Sequence, residues 1–257
     1  MIQRLFTSTL ATAALLAALV AGTAHAAAPD TAKAAAGPGT GVLTDTSVRK
    51  GSMFSAVCLG DSAFGAAWSN LRAEAQSRFP GLRMTKVEDL HITVVYIGGG
   101  WKAEDLDRIR AHALVVPAAA VRCTPEVVPL GHNNQVVAVE LHGTPTVWAD
   151  SVVAAKAVLN QLGLKRPESY DSNFLTHVTL AQAAHSPPSQ ADSTELAGFR
   201  TWMSAKVAED PGKFALTVGP ATRVLLLLAG ATRPEGAPEY ITVEEFLKQH
   251  PAPPPGK

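Results

Sequence analysis

Two short segments carry residue types that could do acid–base chemistry: His91-Ile92-Thr93 in LHITVVYIG, and His177-Val178-Thr179 in THVTLAQ. Each has the pattern His-apolar-Thr-apolar inside a run of β-branched and apolar residues, which predicts a strand. Side chains alternate faces along a strand, so each segment presents an imidazole and a hydroxyl on one side. Ile92, Val94, Val178 and Leu180 then point the other way, toward a core. The motifs stand 86 positions apart with comparable elements before each, which suggests an internal duplication. If the halves are related by an approximate twofold, both pairs face one cleft.

Two imidazoles and two hydroxyls in one cleft suit phosphodiester cleavage by water. A base must activate the nucleophile and an acid must protonate the departing oxygen, and histidine can do either near neutral pH. The hydroxyls can donate to the non-bridging phosphate oxygens, where charge must be held in the transition state. HExxH, clustered carboxylates and a Walker-type glycine loop are missing from the sequence, so the chemistry is expected to need neither metal nor cofactor. A serine hydrolase is a poor fit, because no G-x-S-x-G is present.

The elements that must position these residues can be read from hydrophobic periodicity. SMFSAVCLG predicts a strand and FGAAWSNLRAEAQSRF a helix stopped by Pro80-Gly81. LHITVVYIGG is strand-like and AEDLDRIRAHALVV helical, with its acids early and Arg and His later. VRCTPEVVPLG, holding two prolines, predicts an edge strand, and NNQVVAVELHG a further strand. PTVWADSVVAAKAVLNQLG is a third helix, ended by Gly163. FLTHVTLAQA, GKFALTVGP and TRVLLLLAGA complete the strands, and ITVEEFLKQ is a short terminal helix. The order is neither strict βαβ alternation nor all-β, so an α+β fold with mainly antiparallel sheet follows.

The chain has 257 residues, 47% of them hydrophobic and 17% charged, which excludes wholesale disorder. Lys+Arg and Asp+Glu are both 22, which argues against a strongly basic nucleic-acid binder and leans toward small substrates over long RNA. Residues 1–26 read as a secretory signal: Arg4, an apolar LATAALLAALVAG stretch, and an Ala24-His25-Ala26 cleavage site. Its removal takes one base and no acid, leaving 21 bases against 22 acids. The apolar run is too short for a confident membrane span, so the mature protein is expected to be secreted or periplasmic, with no span. Residues 27–50 read as a disordered linker, 51–247 as the folded domain, and the Pro-rich 248–257 as a disordered tail. A monomer is expected. Cys58 and Cys123 make an even count in an exported chain, which allows one disulfide; two buried free thiols are the alternative.

The two H-x-T-x segments, and the order of elements around them, resemble the two-histidine (2H) phosphoesterase superfamily, also called LigT-like or RNA 2′,3′-cyclic phosphodiesterase. SMFSAVCLG with its following helix, VEDLHITVVYIGG, NQVVAVELHG and SNFLTHVTLAQ all fit that order, over about residues 52–246. The resemblance implies a bilobal, pseudo-twofold fold of two mainly antiparallel sheets, with flanking helices around a central cleft. It implies hydrolysis of 2′,3′-cyclic phosphates, on RNA ends or nucleotides, to a phosphomonoester. His91, Thr93, His177 and Thr179 are the implied catalytic residues. The resemblance assigns His177 as base and His91 as acid for formation of a 2′-phosphate, with roles that exchange with substrate orientation. The alternatives are a non-catalytic nucleotide- or RNA-binding module of the same fold, or an esterase acting on 2′-5′ linkages or a non-nucleotide phosphate. Tyr96, Phe174 and Tyr240 could stack a base, as could Trp101, and Arg83 could supply positive charge near a phosphate.

Overall fold

The computed structural model describes residues 52–164, 175–229 and 238–249. The expected signal segment and linker lie outside the described residues, as do Phe174 and residues 250–257 of the expected tail; Lys248 and Gln249, assigned to that tail, instead end the last helix.

Strand β1 (Ser52–Cys58) leads into helix α1 (Ala63–Arg78). Ser62 caps the helix by accepting the Gly65 N–H on Oγ at 3.1 Å. Glycine is required at 65, because a Cβ there would clash with the Leu59 and Gly60 carbonyl oxygens. A short strand, β2 (Leu82–Met84), and a 3-10 turn at Val87–Asp89 precede β3 (His91–Gly98). Then come α2 (Leu106–Ala113), β4 (Val121–Leu130), β5 (Val136–His142), α3 (Thr146–Gln161) and β6 (His177–Ala183). The chain continues with α4 (Gln190–Glu209), α5 (Pro211–Phe214), β7 (Leu216–Val218), β8 (Val224–Ala229), β9 (Tyr240–Thr242) and α6 (Val243–Gln249).

The α+β class and the antiparallel pairing agree with the sequence. The long helix α4 was not expected from it. Its buried side chains Leu196, Phe199, Met203 and Val207 do follow helical spacing, and Ser189 and Asp192 form a capping box at its start. Thr, Ser, Gly and Ala between them dilute that stripe. Strands β2 and β9 are three residues each, too short for a periodic signal. The proline-bearing strand β4 sits where Pro is tolerated. It pairs with β7 only over Val121–Cys123, so beyond Thr124 its outer edge has no strand partner among the described residues.

Among the described residues the strands form one nine-stranded sheet in the order β7-β4-β5-β6-β3-β1-β8-β9, with β2 also on β6. The two expected sheets are its two halves. They join where β3 meets β6, through the antiparallel pair Ile92–Val178. Beyond this junction β6 pairs with β2 at Ala181–Ala183, so β3 and β6 part company after one contact.

The halves repeat one another in detail. β1 pairs with β3 as β5 pairs with β6. In both ladders the register slips just after the motif threonine: Thr93 pairs Ala56 and Val95 pairs Ser55, while Thr179 pairs Ala138 and Ala181 pairs Val137. Val94 and Leu180 are the extra residues of these two bulges. The bulges are satisfied: Ser55 Oγ accepts the Val95 N–H at 3.0 Å, and the Leu180 carbonyl accepts the Thr85 N–H at 2.9 Å. The helices cross between halves. α1 follows β1 but packs on β2, and α3 follows β5 but packs on β3 and α2. Each carries a fully buried Trp whose Nε1–H donates to a backbone carbonyl, Trp68 to Thr85 and Trp148 to Val115. The main core lies between sheet and helices and includes Ile92, Val94, Val178 and Leu180. Among the described residues no helix is long and apolar enough to cross a membrane.

Cys58 and Cys123 are both free thiols. Cys58 is on β1 and Cys123 on β4, four strands apart in the sheet order. At ~4.8 Å per strand that separation far exceeds the reach of a disulfide.

Candidate active site

The antiparallel pairing of Ile92 with Val178 fixes the arrangement of both motifs. It sets His91 toward Thr179 and Thr93 toward His177, related by a local twofold through the Ile92–Val178 pair. Ile92 and Val178 are fully buried on the helix side, while both histidines and both threonines are half-buried on the opposite face. The strand alternation that the sequence predicted is therefore present, and the four residues come together.

Each imidazole is held in the same way. His91 Nδ1 lies 2.8 Å from the Asp89 carbonyl oxygen, and His177 Nδ1 lies 2.9 Å from that of Leu175. A carbonyl only accepts, so each Nδ1 carries the proton and donates. In the neutral ring Nε2 is then left with its lone pair; in the protonated ring it becomes the donor. A pair of Nδ1-H tautomers can thus serve as one base and one acid. Burial lowers both histidine pKa values, and each carbonyl bond partly opposes this. His91 is lowered further by the charge of His177. Glu140, opposite His177 in the β5–β6 ladder, acts in the raising direction on His177.

Small residues flank the threonines. Ala56 stands opposite Thr93 and Ala138 opposite Thr179, which leaves room above the hydroxyls. The His91 half carries an aromatic wall. Phe54 lies 5.1 Å and Tyr240 4.7 Å from the His91 ring centre, and Phe54 and Tyr240 meet edge-on at 5.3 Å. Tyr96 packs in the same cluster, with Phe54, Ala56 and Leu227. Burial, with Glu239 and Asp89 nearby, pushes the Tyr240 hydroxyl pKa up to about 12, so it stays protonated.

Of the expected binding residues, Tyr96 and Tyr240 thus stand on the His91 wall. Arg83 lies on β2 opposite Gln182, bonded to Gln182 Oε1 at 2.7 Å and ion-paired with Glu239 at 3.2 Å. It lines a cavity of about 340 Å³ with Arg72, Asp89, Gln182 and Glu239, beside the motif strands rather than between the histidines. Trp101 is buried in the core instead of lining the site. Sequence reasoning missed Phe54, Asp89, Glu140 and Glu239. Phe54 had a signal, since it shares the β1 face with Ala56 and Cys58, next to a motif strand. Among the described residues no group of three or more His, Cys, Asp and Glu could hold a metal ion.

No protein-family model and no curated protein matches this chain. Solved structures do. Escherichia coli LigT complexed with 3′-AMP is 16% identical, covers 75% of this chain and 95% of its own, with a TM-score of 0.51. E. coli LigT complexed with NADP+ is 17% identical over 76% and 95%, with a TM-score of 0.49. TT0787 of Thermus thermophilus is 19% identical over 75% and 94%, with a TM-score of 0.46. The comparison with the 3′-AMP complex carries the conclusion: this chain has a LigT-like fold.

Proposed function

We propose that this protein is a member of the two-histidine phosphoesterase superfamily and an exported, metal-independent phosphodiesterase. It opens 2′,3′-cyclic phosphates of nucleotides or RNA ends to a phosphomonoester. The observation that carries the proposal is the matched pair of imidazoles, each with Nδ1–H on the carbonyl two residues before it, set against each other with a threonine hydroxyl apiece. A binding module needs no such matched acid and base.

In the proposed reaction one Nε2 takes a proton from water as the water oxygen bonds to phosphorus. The bond from phosphorus to one ribose oxygen breaks, and the other imidazolium gives that oxygen its proton. Thr93 and Thr179 donate to the non-bridging oxygens. Each acid or base group is worth about 10²–10⁴-fold. The family resemblance gives His177 as base and His91 as acid for formation of a 2′-phosphate, with roles that exchange with substrate orientation, and the product isomer tests that assignment.

The aromatic wall of Phe54, Tyr96 and Tyr240 supports a substrate with a nucleobase, and the fold neighbour LigT has been seen with 3′-AMP. The test is incubation in EDTA with 2′,3′-cyclic AMP and with ribose 2′,3′-cyclic phosphate, separating 2′ and 3′ products. One isomer, formed faster from the nucleotide, is the expected result. Binding of nucleotide without turnover would replace the enzyme by a binding module. Export rests on residues 1–26 alone. The mature chain is expected to begin at Ala27, and an exported protein that retains Met1 would contradict cleavage there.

A further inference from the structure

The two motif histidines use equivalent carbonyls, but the residues that supply them differ. Leu175 serves His177, whereas Asp89 serves His91. Since a leucine performs the carbonyl role as well, the carboxylate of Asp89 is not needed to orient the imidazole. Yet that residue is only 3% exposed, and taking a carboxylate out of water is costly. Burial raises its pKa, as do Glu239 and Glu88, while the backbone N–H groups of Glu239 and Tyr240 stabilise its charge. A buried carboxylate with no counterpart in the repeat needs its own reason.

The reason lies in strand β9. Tyr240 is on β9, which is three strands from β3 in the sheet order. At ~4.8 Å per strand the two would lie about 14 Å apart in a flat sheet. The Tyr240 ring is nevertheless 4.7 Å from the His91 ring. The backbone at the start of β9 is tied back to the motif by a short bond, in which the Glu239 N–H donates to Asp89 Oδ1 at 2.6 Å. β9 itself has three ladder pairs, all with β8, and none with β1 or β3.

We propose that the Asp89 carboxylate is a positioning residue that holds the Glu239–Tyr240 backbone, and with it the Tyr240 ring, against His91, so completing the wall on which the substrate's base stacks. This deepens the proposed function and rests on it for the identity of the stacked group. The placement of Tyr240 is testable without it.

The test is a comparison of Asp89→Ala, Asp89→Asn and Tyr240→Ala. With 2′,3′-cyclic AMP, Asp89→Ala should raise KM about tenfold, in line with the loss of one base–aromatic stack, and lower kcat by much less. The effect should be smaller with ribose 2′,3′-cyclic phosphate. Asp89→Asn should restore much of the loss, because its amide oxygen can accept the same N–H. In the Tyr240→Ala background, Asp89→Ala should add little. Equal losses on both substrates, or a full effect persisting without Tyr240, would overturn the proposal.

Glu239→Pro deletes the donated N–H while leaving Asp89 in place, and Glu239→Ala keeps the N–H while losing the Arg83 ion pair. Only the proline variant should imitate Asp89→Ala, and this comparison decides the matter where Asp89→Ala does not fold. The His91 ring-proton resonances give a readout independent of turnover. They should move in Asp89→Ala as they do in Tyr240→Ala. If the wild type turns over no cyclic phosphate, the proposed function fails while these resonances still judge Asp89; unmoved resonances would sink the positioning role.

Discussion

Ile92 and Val178, the middle residues of the two His-x-Thr motifs, pair with each other across β3 and β6. This one antiparallel contact joins the halves of the sheet and sets each motif's histidine toward the other's threonine. The packing residues and the chemical residues are thus the same two tripeptides read from opposite faces. Both Ile92 and Val178 are fully buried, so the geometry of the site is anchored in the core.

That anchoring makes the junction sensitive. Val178→Ala should leave a cavity directly beneath the histidines and destabilise the protein by about 2–4 kcal/mol, in the range for large-to-small core substitutions. Urea unfolding measures the loss. A change below about 0.5 kcal/mol would mean that the junction is not packed as described.

Thr93→Val and Thr179→Val keep the shape of the side chain and delete the hydroxyl. If the hydroxyls donate to phosphate oxygens in the transition state, each variant should lose about 10²-fold in kcat. Steady-state kinetics on a cyclic nucleotide checks this. A change confined to KM would assign the threonines to ground-state binding only.

Burial lowers the pKa of both histidines from 6.5, and the charge of His177 lowers that of His91 further. In the proposed mechanism the reactive form carries one proton on the pair. Lowering both values moves both limbs of the pH profile to the acid side, so the maximum of kcat/KM should lie below about pH 6.5. The same shifts make the unfolded chain bind protons more readily, so folding stability should fall as pH drops from about 6.5 through the folded-state values. A kcat/KM maximum well above neutral pH would show that the rings are not desolvated in the working enzyme.

The site and its scaffold were legible to different degrees. His91, Thr93, His177 and Thr179 could be found because a strand's period of two puts His and Thr on one face and Ile92 and Val178 on the other. The paired bulges at Val94 and Leu180 could not, since nothing in the sequence marks where the register slips. Phe54, Asp89 and Glu239 reach the site through the fold: the Asp89–Glu239 bond spans 150 positions, beyond any local pattern. Arg83 was expected near phosphate from its charge alone, yet it is engaged by Glu239 and Gln182. The disulfide left open by the cysteine count is ruled out by the strand order, which only the folded sheet supplies.

The aromatic wall carries a prediction distinct from the Asp89 test. Phe54→Ala should weaken a nucleoside cyclic phosphate by about 1–3 kcal/mol in KM, the usual worth of one base–aromatic stack. Turnover of a substrate without a base should suffer far less. Equal sensitivity of the two substrates would remove the base from the wall.

In the proposed function His91 and His177 act as a matched acid and base. The most direct test follows hydrolysis of 2′,3′-cyclic AMP in EDTA by the wild type, His91→Ala, His177→Ala and the double variant, with circular dichroism confirming the fold of each. The wild type should turn over the substrate, each single variant should lose about 10²–10⁴-fold, and the double variant should be much less impaired than the product of the two losses, because the groups act as a unit. Undiminished turnover in either single variant, or no turnover by the folded wild type, would contradict it.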